Sequence, residues 1–230
     1  MEKRGFFASN LNRIILSVFF LFFIIFITTL KLRPYPFNEI IKIIPIISLI
    51  GLVLANISGK RKIYMTAALV FSAAGDVLLA LSGNSFFLYG LGAFAVSHCF
   101  YITAFLTDRQ KTEKKHIYYI VPLLVYSISF AFILYPGLNG GLTIPVFVYL
   151  SVITVMGITS ASAGRNFMIF ITGASLFIIS DSLIALNTFL VRVPNSSFWI
   201  MVTYYPAQLL LTFGMCLNSL KSNSEQLPQA

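Results

Sequence analysis

Charge is what this chain has least of. Only 10% of its 230 residues are Asp, Glu, Lys or Arg, where a soluble domain carries about a quarter. With 58% of residues hydrophobic, a water-soluble fold is excluded and an integral membrane protein is expected. The two cysteines and two histidines form no metal-ligand spacing. Cys99 and Cys216 both fall inside apolar runs, so neither a disulfide framework nor bound zinc is expected, and no cofactor is implied. The apolar runs also lack the strict alternation that membrane-barrel strands need. They reach roughly eighteen residues or more, the length at which an α-helix crosses about 30 Å of hydrocarbon.

Eight such runs, 14–32, 40–57, 63–82, 86–107, 117–135, 142–162, 167–189 and 197–219, predict an all-α polytopic bundle in which residues 1–230 form one membrane domain. Turn-forming residues separate them: Arg33-Pro34-Tyr35-Pro36, Ser58-Gly59, Ser82-Gly83-Asn84, the stretch from Pro136 to Gly141, Gly164, and Pro194-Asn195. The basic start (Lys3, Arg4, Arg13) before the first run resembles a secretory signal. That run is too long for an h-region, however, and the following Thr28-Thr29-Leu30-Lys31-Leu32-Arg33-Pro34 offers no small-residue cleavage site, so it reads as a retained first helix.

The formal charge of +9 does not point to nucleic acid, because the basic residues stand in short clusters between runs, where they set topology and meet anionic lipid. Lys3, Arg4, Arg13, Lys60, Arg61, Lys62, Arg109, Lys111, Lys114, Lys115, Arg165 and Lys221 collect on one side. Lys31, Arg33, Lys42 and Arg192 collect on the other. Twelve against four predicts both termini in the cytoplasm of a plasma (bacterial inner) membrane.

Of the seven acids, Glu2, Glu39, Asp108, Glu113 and Glu225 fall in tails, loops or beside a predicted membrane boundary. Asp76 and Asp181 fall deep inside apolar runs. A carboxylate there costs about 2.5–3.5 kcal/mol on insertion scales, so it faces the bundle interior and marks function. Asp76 lies thirteen residues after Ile63 and Asp181 fourteen after Phe167, which puts both about 20 Å from the cytoplasmic surface at 1.5 Å per residue. The segments Asp76-Val77-Leu78-Leu79-Ala80-Leu81 and Asp181-Ser182-Leu183-Ile184-Ala185-Leu186 echo each other at an offset of 105. A parallel duplication of four helices plus four is expected from this, with the two carboxyls across one cavity.

Two carboxyls in one low-dielectric cavity do not both ionise cheaply, so such a pair can present an acid and a base together. The alternative for each Asp is a structural hydrogen-bond network between helices, although that task usually falls to Ser, Thr, Asn and Gln. Small residues beside the acids (Ser72, Ala73 and Ala80; Gly173, Ala174 and Ala185) permit close approach of helices or ligand. Tyr205 and Gln208 either orient water or substrate or act as an aromatic anchor and an interhelical hydrogen bond, and Tyr204 reads as an anchor. His98, with Tyr101 one turn on, is either a hydrogen-bonded packing residue or a partner of the carboxyls. Ser180, Ser182 and Asn187 are polar enough to join the same network. The basic residues Lys31, Arg33, Lys42 and Arg192 could attract a phosphate but read first as snorkelling interfacial charges.

The segments Leu69-Val70-Phe71-Ser72-Ala73-Ala74-Gly75-Asp76-Val77-Leu78-Leu79, Gly92-Ala93-Phe94 with Ser97-His98 and Tyr101, Gly173-Ala174-Ser175-Leu176-Phe177-Ile178-Ile179-Ser180-Asp181-Ser182, and Tyr204-Tyr205-Pro206-Ala207-Gln208 together resemble the lysoplasmalogenase family, the YhhN-type multi-pass membrane proteins. The resemblance covers the third, fourth, seventh and eighth runs. It implies hydrolysis of the vinyl-ether bond of a lysophospholipid substrate to a fatty aldehyde and glycerophospho-ethanolamine or -choline, without metal or nucleotide. Asp76 and Asp181 would be the catalytic pair, and His98, Tyr101, Ser180, Asn187, Tyr205 and Gln208 would bind or orient substrate. A proton-coupled carrier of a small molecule or lipid would also place paired acids in a membrane cavity, but it favours broken helices, and no proline interrupts either Asp-bearing run.

Overall fold

The computed structural model describes residues 6–33, 35–81, 84–107, 109, 114–138 and 140–225, and among these there is no strand. Eight long helices follow one another: α1 (Asn10–Thr29, extended by a 3-10 turn at Leu30–Leu32), α2 (Asn38–Asn56), α3 (Gly59–Ala80), α4 (Asn84–Leu106), α5 (Lys114–Leu134), α6 (Gly140–Ser160), α7 (Phe167–Phe189) and α8 (Ser196–Glu225). Each is long and apolar enough to cross a membrane. Glu2, Lys3, Arg4, Pro34, Ser82, Gly83, Asp108, Lys111, Glu113 and Asn139, used above to draw topology, lie outside the described residues, as do the side chains of Asn84, Lys115, Lys221 and Glu225.

Most helices begin a few residues before their apolar runs. The third starts at Gly59 rather than Ile63 and so includes Lys60, Arg61 and Lys62, because backbone hydrogen bonding continues past the point where side chains turn polar. Prolines stand inside α2 (Pro45), α5 (Pro122), α6 (Pro145) and α8 (Pro206). The two Asp-bearing helices, α3 and α7, have none, so their hydrogen-bond ladders hold the aspartates on straight, uninterrupted rods.

The helices pack as two runs of four. Within the first half α1 packs on α2, α2 on α3 and α3 on α4; within the second, α5 packs on α6, α6 on α7 and α7 on α8. The halves meet chiefly through α2 against α8 and α4 against α6, with a lesser contact of α1 on α8. Advancing every helix by four places carries each of the chief pairs into another, though the lesser α1–α8 and α5–α7 contacts have no counterpart of similar size. Two turns repeat as well. Gly59 and Gly164, separated by the same 105 positions as the two aspartates, both adopt positive φ (66° and 109°), Gly59 as the first residue of α3 and Gly164 three residues before α7. Only glycine enters that region without steric cost. At Gly164 a Cβ would also strike the Asn218 side chain at 1.9 Å, and Asn218 itself donates to the Ala163 carbonyl at 2.9 Å, tying this turn to α8.

Polar side chains fasten helices whose surfaces are otherwise apolar, as lipid supplies no hydrophobic drive between them. Asn12 on α1 and Asn56 on α2 exchange a reciprocal amide pair at 2.9 and 2.8 Å, and Thr154 on α6 donates to Ser127 on α5 at 2.8 Å. Large rings fill the interior (Phe19, Tyr101, Phe105, Phe170, Phe177 and Tyr205), whereas Tyr118 and Phe132 on α5 stand exposed on the outside. The polar residues that remain inside gather where the two halves meet.

Candidate functional site

Asp76 lies in the last turns of α3, where helix carbonyls begin to lose their intrahelical partners and the negative end of the helix dipole develops. Lys42, about 6 Å into α2 from the same end of the bundle, meets it there. Its ammonium lies 2.9 Å from Asp76 Oδ1 and donates to the Asp76 backbone carbonyl at 3.0 Å. Tyr204 of α8 donates to Asp76 Oδ2 at 2.7 Å. Both carboxylate oxygens therefore face donors, and Lys42 and Asp76 are only 6% and 2% exposed. Burying a charge this deeply is tolerable only because it is paired and hydrogen-bonded.

Asp181 occupies the equivalent place on α7. Tyr149 of α6 donates to its Oδ2, and His98 Nε2 of α4 lies 3.0 Å from the Tyr149 hydroxyl and 3.5 Å from the same Oδ2. Because the Tyr149 proton points to the carboxyl, the phenol oxygen accepts from His98, which places the imidazole proton on Nε2. The buried Nδ1, which has no partner, is then a bare lone pair rather than an orphaned N–H. Among the described residues no hydrogen bond or ion pair engages Asp181 Oδ1. The carboxyl instead borders a pocket between α3, α4, α6 and α7, walled by Leu79, Phe87, Leu91, Phe94, Val146 and Phe189. Its free volume of about 40 Å³ has room for a few waters.

Aromatic rings join the two clusters. Phe177, one turn before Asp181, packs edge-on against His98 (4.7 Å between centroids) and against Tyr204 (5.4 Å). Phe94 walls the pocket and meets both Phe177 and Tyr204. Its ring lies directly over Gly75, where a Cβ would come within 2.6 Å of it, so the glycine next to Asp76 is what lets α3 and α4 close up.

Several residues expected at the site serve elsewhere. Tyr101 donates to Gln208, Gln208 to Ser72 at 2.9 Å, Ser72 shares a hydrogen with Ser97 at 2.7 Å, and Ser97 reaches the Ala68 carbonyl at 2.7 Å. This closed, fully buried chain locks α3, α4 and α8 together. Tyr205, set one position round the helix from Tyr204, donates to the Lys42 carbonyl at 2.8 Å and packs edge-on against Phe19, Phe23 and Phe26 of α1. Ser180 donates to the Ile200 carbonyl at 3.2 Å, and Asn187 accepts from the Val193 N–H at 3.0 Å in the turn after α7.

The readings of Tyr204 as an anchor and Lys42 as a snorkelling charge are corrected. Both residues turn inward, since an unpaired Asp76 would be more costly than a buried ion pair. In the folded helices Lys42 lies four residues after the start of α2 and Asp76 four before the end of α3, which sets them at one level. Tyr149 went unread, although a lone tyrosine in mid-span needs a hydroxyl partner. Of the remaining rim cations, Arg33 is engaged by Glu39 at 3.5 Å and by Asn38 at 3.0 Å.

The fold and site define a polytopic, all-helical membrane protein with two intramembrane aspartates, each held by one side chain from its own half and one from the other half of a duplicated bundle. Residues 37–215, which include every member of both clusters, match the YhhN family, and the chain belongs to that family. It is 35% identical over 193 residues to human Lysoplasmalogenase TMEM86A, covering 77% of each chain. It is 32% identical over 188 residues to mouse Lysoplasmalogenase TMEM86B, covering 81% of this chain and 78% of the relative. Identity to the Lysoplasmalogenase of Mycobacterium tuberculosis (strain CDC 1551 / Oshkosh) is 29% over 203 residues, covering 83% and 78%. No solved structure matches the chain.

Proposed function

We propose that this protein is a membrane hydrolase that cleaves the vinyl-ether bond of lysoplasmalogens, with Asp76 and Asp181 as its general acid and base. The observation that carries the reading is the Asp181 carboxyl at the edge of an apolar pocket, with one oxygen held by Tyr149 and the other without a partner among the described residues. Curated relatives named lysoplasmalogenases support the substrate class.

The chemistry needs only a proton donor, a carboxylate and water. A carboxylic acid gives its proton to the β-carbon of the vinyl ether, and the alkene π pair forms the new C–H bond. The positive charge that develops on the α-carbon and its oxygen is stabilised by carboxylate. Water adds to the α-carbon and passes a proton to the second carboxylate. The hemiacetal then loses its hydroxyl proton to the first carboxylate while the second returns a proton to the departing glycerol oxygen, so aldehyde and alcohol leave and both carboxyls are restored. An alkenyl chain reaches Asp181 by parting the Phe87 and Phe94 rings, which leave too little volume for it at rest.

The orientation we propose keeps both termini cytoplasmic in a plasma (bacterial inner) membrane. With Lys42 committed to Asp76, the opposite side keeps only Lys31, Arg33 and Arg192, which sharpens the basic bias. A reporter fused after Lys221 should read cytoplasmic.

The test is aldehyde release by the purified protein, with no ion gradient, from lyso-lipids that carry a vinyl-ether, alkyl-ether or acyl chain. Only the vinyl ether should yield aldehyde. Gradient-dependent proton uptake with no aldehyde from any lipid would favour a proton-coupled carrier and defeat the enzyme.

A further inference from the structure

The duplicated packing gives each aspartate two equivalent positions for partners, one on the second helix of its own half and one on the fourth helix of the other. Around Asp76 these hold Lys42 on α2 and Tyr204 on α8. Around Asp181 they hold Tyr149 on α6 and His98 on α4. The numbering agrees with this equivalence: Lys42 and Tyr149 lie 107 positions apart, His98 and Tyr204 lie 106 apart, and the aspartates 105. One member of a matched pair is thus an ammonium where the other is a phenol.

We propose that Lys42 divides the labour between the two acids: it holds Asp76 as the carboxylate, and Asp181 is the carboxyl that carries the proton, on Oδ1, and delivers it to the substrate. The inference rests on the hydrolase reading above and assigns the acid and base that it leaves interchangeable.

Hydrogen-bond geometry makes the assignment. A neutral carboxyl must direct its own O–H at something other than a donor. Both oxygens of Asp76 face donors, the Lys42 ammonium on Oδ1 and the Tyr204 hydroxyl on Oδ2, and the same ammonium is anchored by the Asp76 carbonyl. A proton on either oxygen would displace a bond already made. At Asp181 the donor is the Tyr149 hydroxyl, on Oδ2, which suits the carbonyl oxygen of a neutral acid, and among the described residues Oδ1 is left for the hydroxyl. No lysine or arginine pairs with Asp181 among the described residues, and His98 Nε2 meets the Tyr149 hydroxyl at 3.0 Å. The remaining titratable neighbour of the Asp76 cluster, Tyr205, is turned away onto the Lys42 carbonyl. Asp181 also borders the apolar pocket, where a vinyl ether can meet the acid with its β-carbon.

Lys42 is in this account a positioning residue, and protonation can be read without turnover. Infrared spectra of the full-length protein in lipid, taken in H2O and D2O near neutral pH, report the carbonyl stretch of a protonated carboxyl. The unsubstituted protein should show such a band, Asp181→Asn should lose it, and Asp76→Asn should keep it. Lys42→Met should add a second band as Asp76 takes up a proton, and Lys42→Arg should not. A band lost in Asp76→Asn, lost in neither variant, or absent from the unsubstituted protein overturns the assignment, and a folded Lys42→Met protein with no second band removes Lys42 from it. If Lys42→Met does not fold, the two aspartate variants still decide which acid is neutral. Failure of the aldehyde assay, by contrast, would refute the hydrolase reading and leave the band where it is.

Discussion

Around Asp76 every polar atom is taken: an ammonium and a phenol hold the carboxylate, and a second phenol, Tyr205, caps the carbonyl of the lysine itself. Around Asp181 a phenol, itself backed by an imidazole, holds one oxygen and leaves the other beside an apolar pocket. The backbones that carry the two sites are related by the same four-helix advance and the same positive-φ glycine turn. What differs is only which side chains occupy matching positions. A duplicated scaffold supplies two copies of one polar niche, and substitution within the copies turns one into a saturated ion pair and the other into a reactive edge.

The largest effect should come from breaking the saturated side. Lys42→Met leaves Asp76 without its cation, and removing one partner of a buried pair costs about 3–5 kcal/mol. Thermal or denaturant unfolding in lipid or detergent measures it. Replacing both partners, Lys42→Met with Asp76→Leu, should recover much of that stability while leaving no turnover, which separates the pair's contribution to folding from its contribution to chemistry.

On the reactive side, Tyr149→Phe removes the donor to Asp181 Oδ2 and the acceptor of His98 Nε2–H together. A buried hydrogen bond lost in this way leaves a penalty of about 1–3 kcal/mol. We expect kcat/KM to fall about ten- to a hundredfold, with that same stability loss visible as a lower melting temperature.

The residues preceding the two aspartates sharpen the contrast by packing. Gly75→Ala drives a Cβ into the Phe94 ring, an overpacking of about 1–3 kcal/mol. Because Phe94 walls the pocket, KM should rise alongside the loss in stability. At the matching position the chain already carries Ser180, whose hydroxyl reaches the Ile200 carbonyl, so Ser180→Ala should cost only about 0.5–1.5 kcal/mol. The smallest effect is expected at Tyr205→Phe, which deletes one hydrogen bond to the Lys42 carbonyl, again about 0.5–1.5 kcal/mol in an unfolding measurement.

The spans and the two intramembrane acids were legible because each rests on a local signal: run length, and a charge in an apolar context. The partners were less so. Tyr204 and Tyr205 are neighbours, and which of them meets Asp76 depends on the rotation of α8 about its axis. A helix apolar on nearly every face gives no periodicity from which to read that rotation. Lys42 stands only two residues inside the run 40–57, a depth that suits a snorkelling side chain. Tyr149 reaches Asp181 across the contact of α6 with α7, and His98 joins it only through the contact of α6 with α4, a pairing between the halves that appears once the bundle is assembled. Gln208 and Tyr101 were rightly read as interior, yet their hydrogen bonds close on Ser72 and Ser97 and are spent on helix packing.

Aldehyde release by Asp76→Asn, Asp181→Asn and the double variant, each shown to be folded in the same lipid, tests the account most directly. Asparagine preserves the volume of the side chain and much of its hydrogen bonding but neither gives nor takes the reacting proton. Each single variant should lose about 10²–10⁴ in rate, and the double variant should be scarcely worse than either, because both groups act on one transition state. Near-normal vinyl-ether hydrolysis by either well-folded single variant would make that aspartate structural and contradict the paired-carboxyl site.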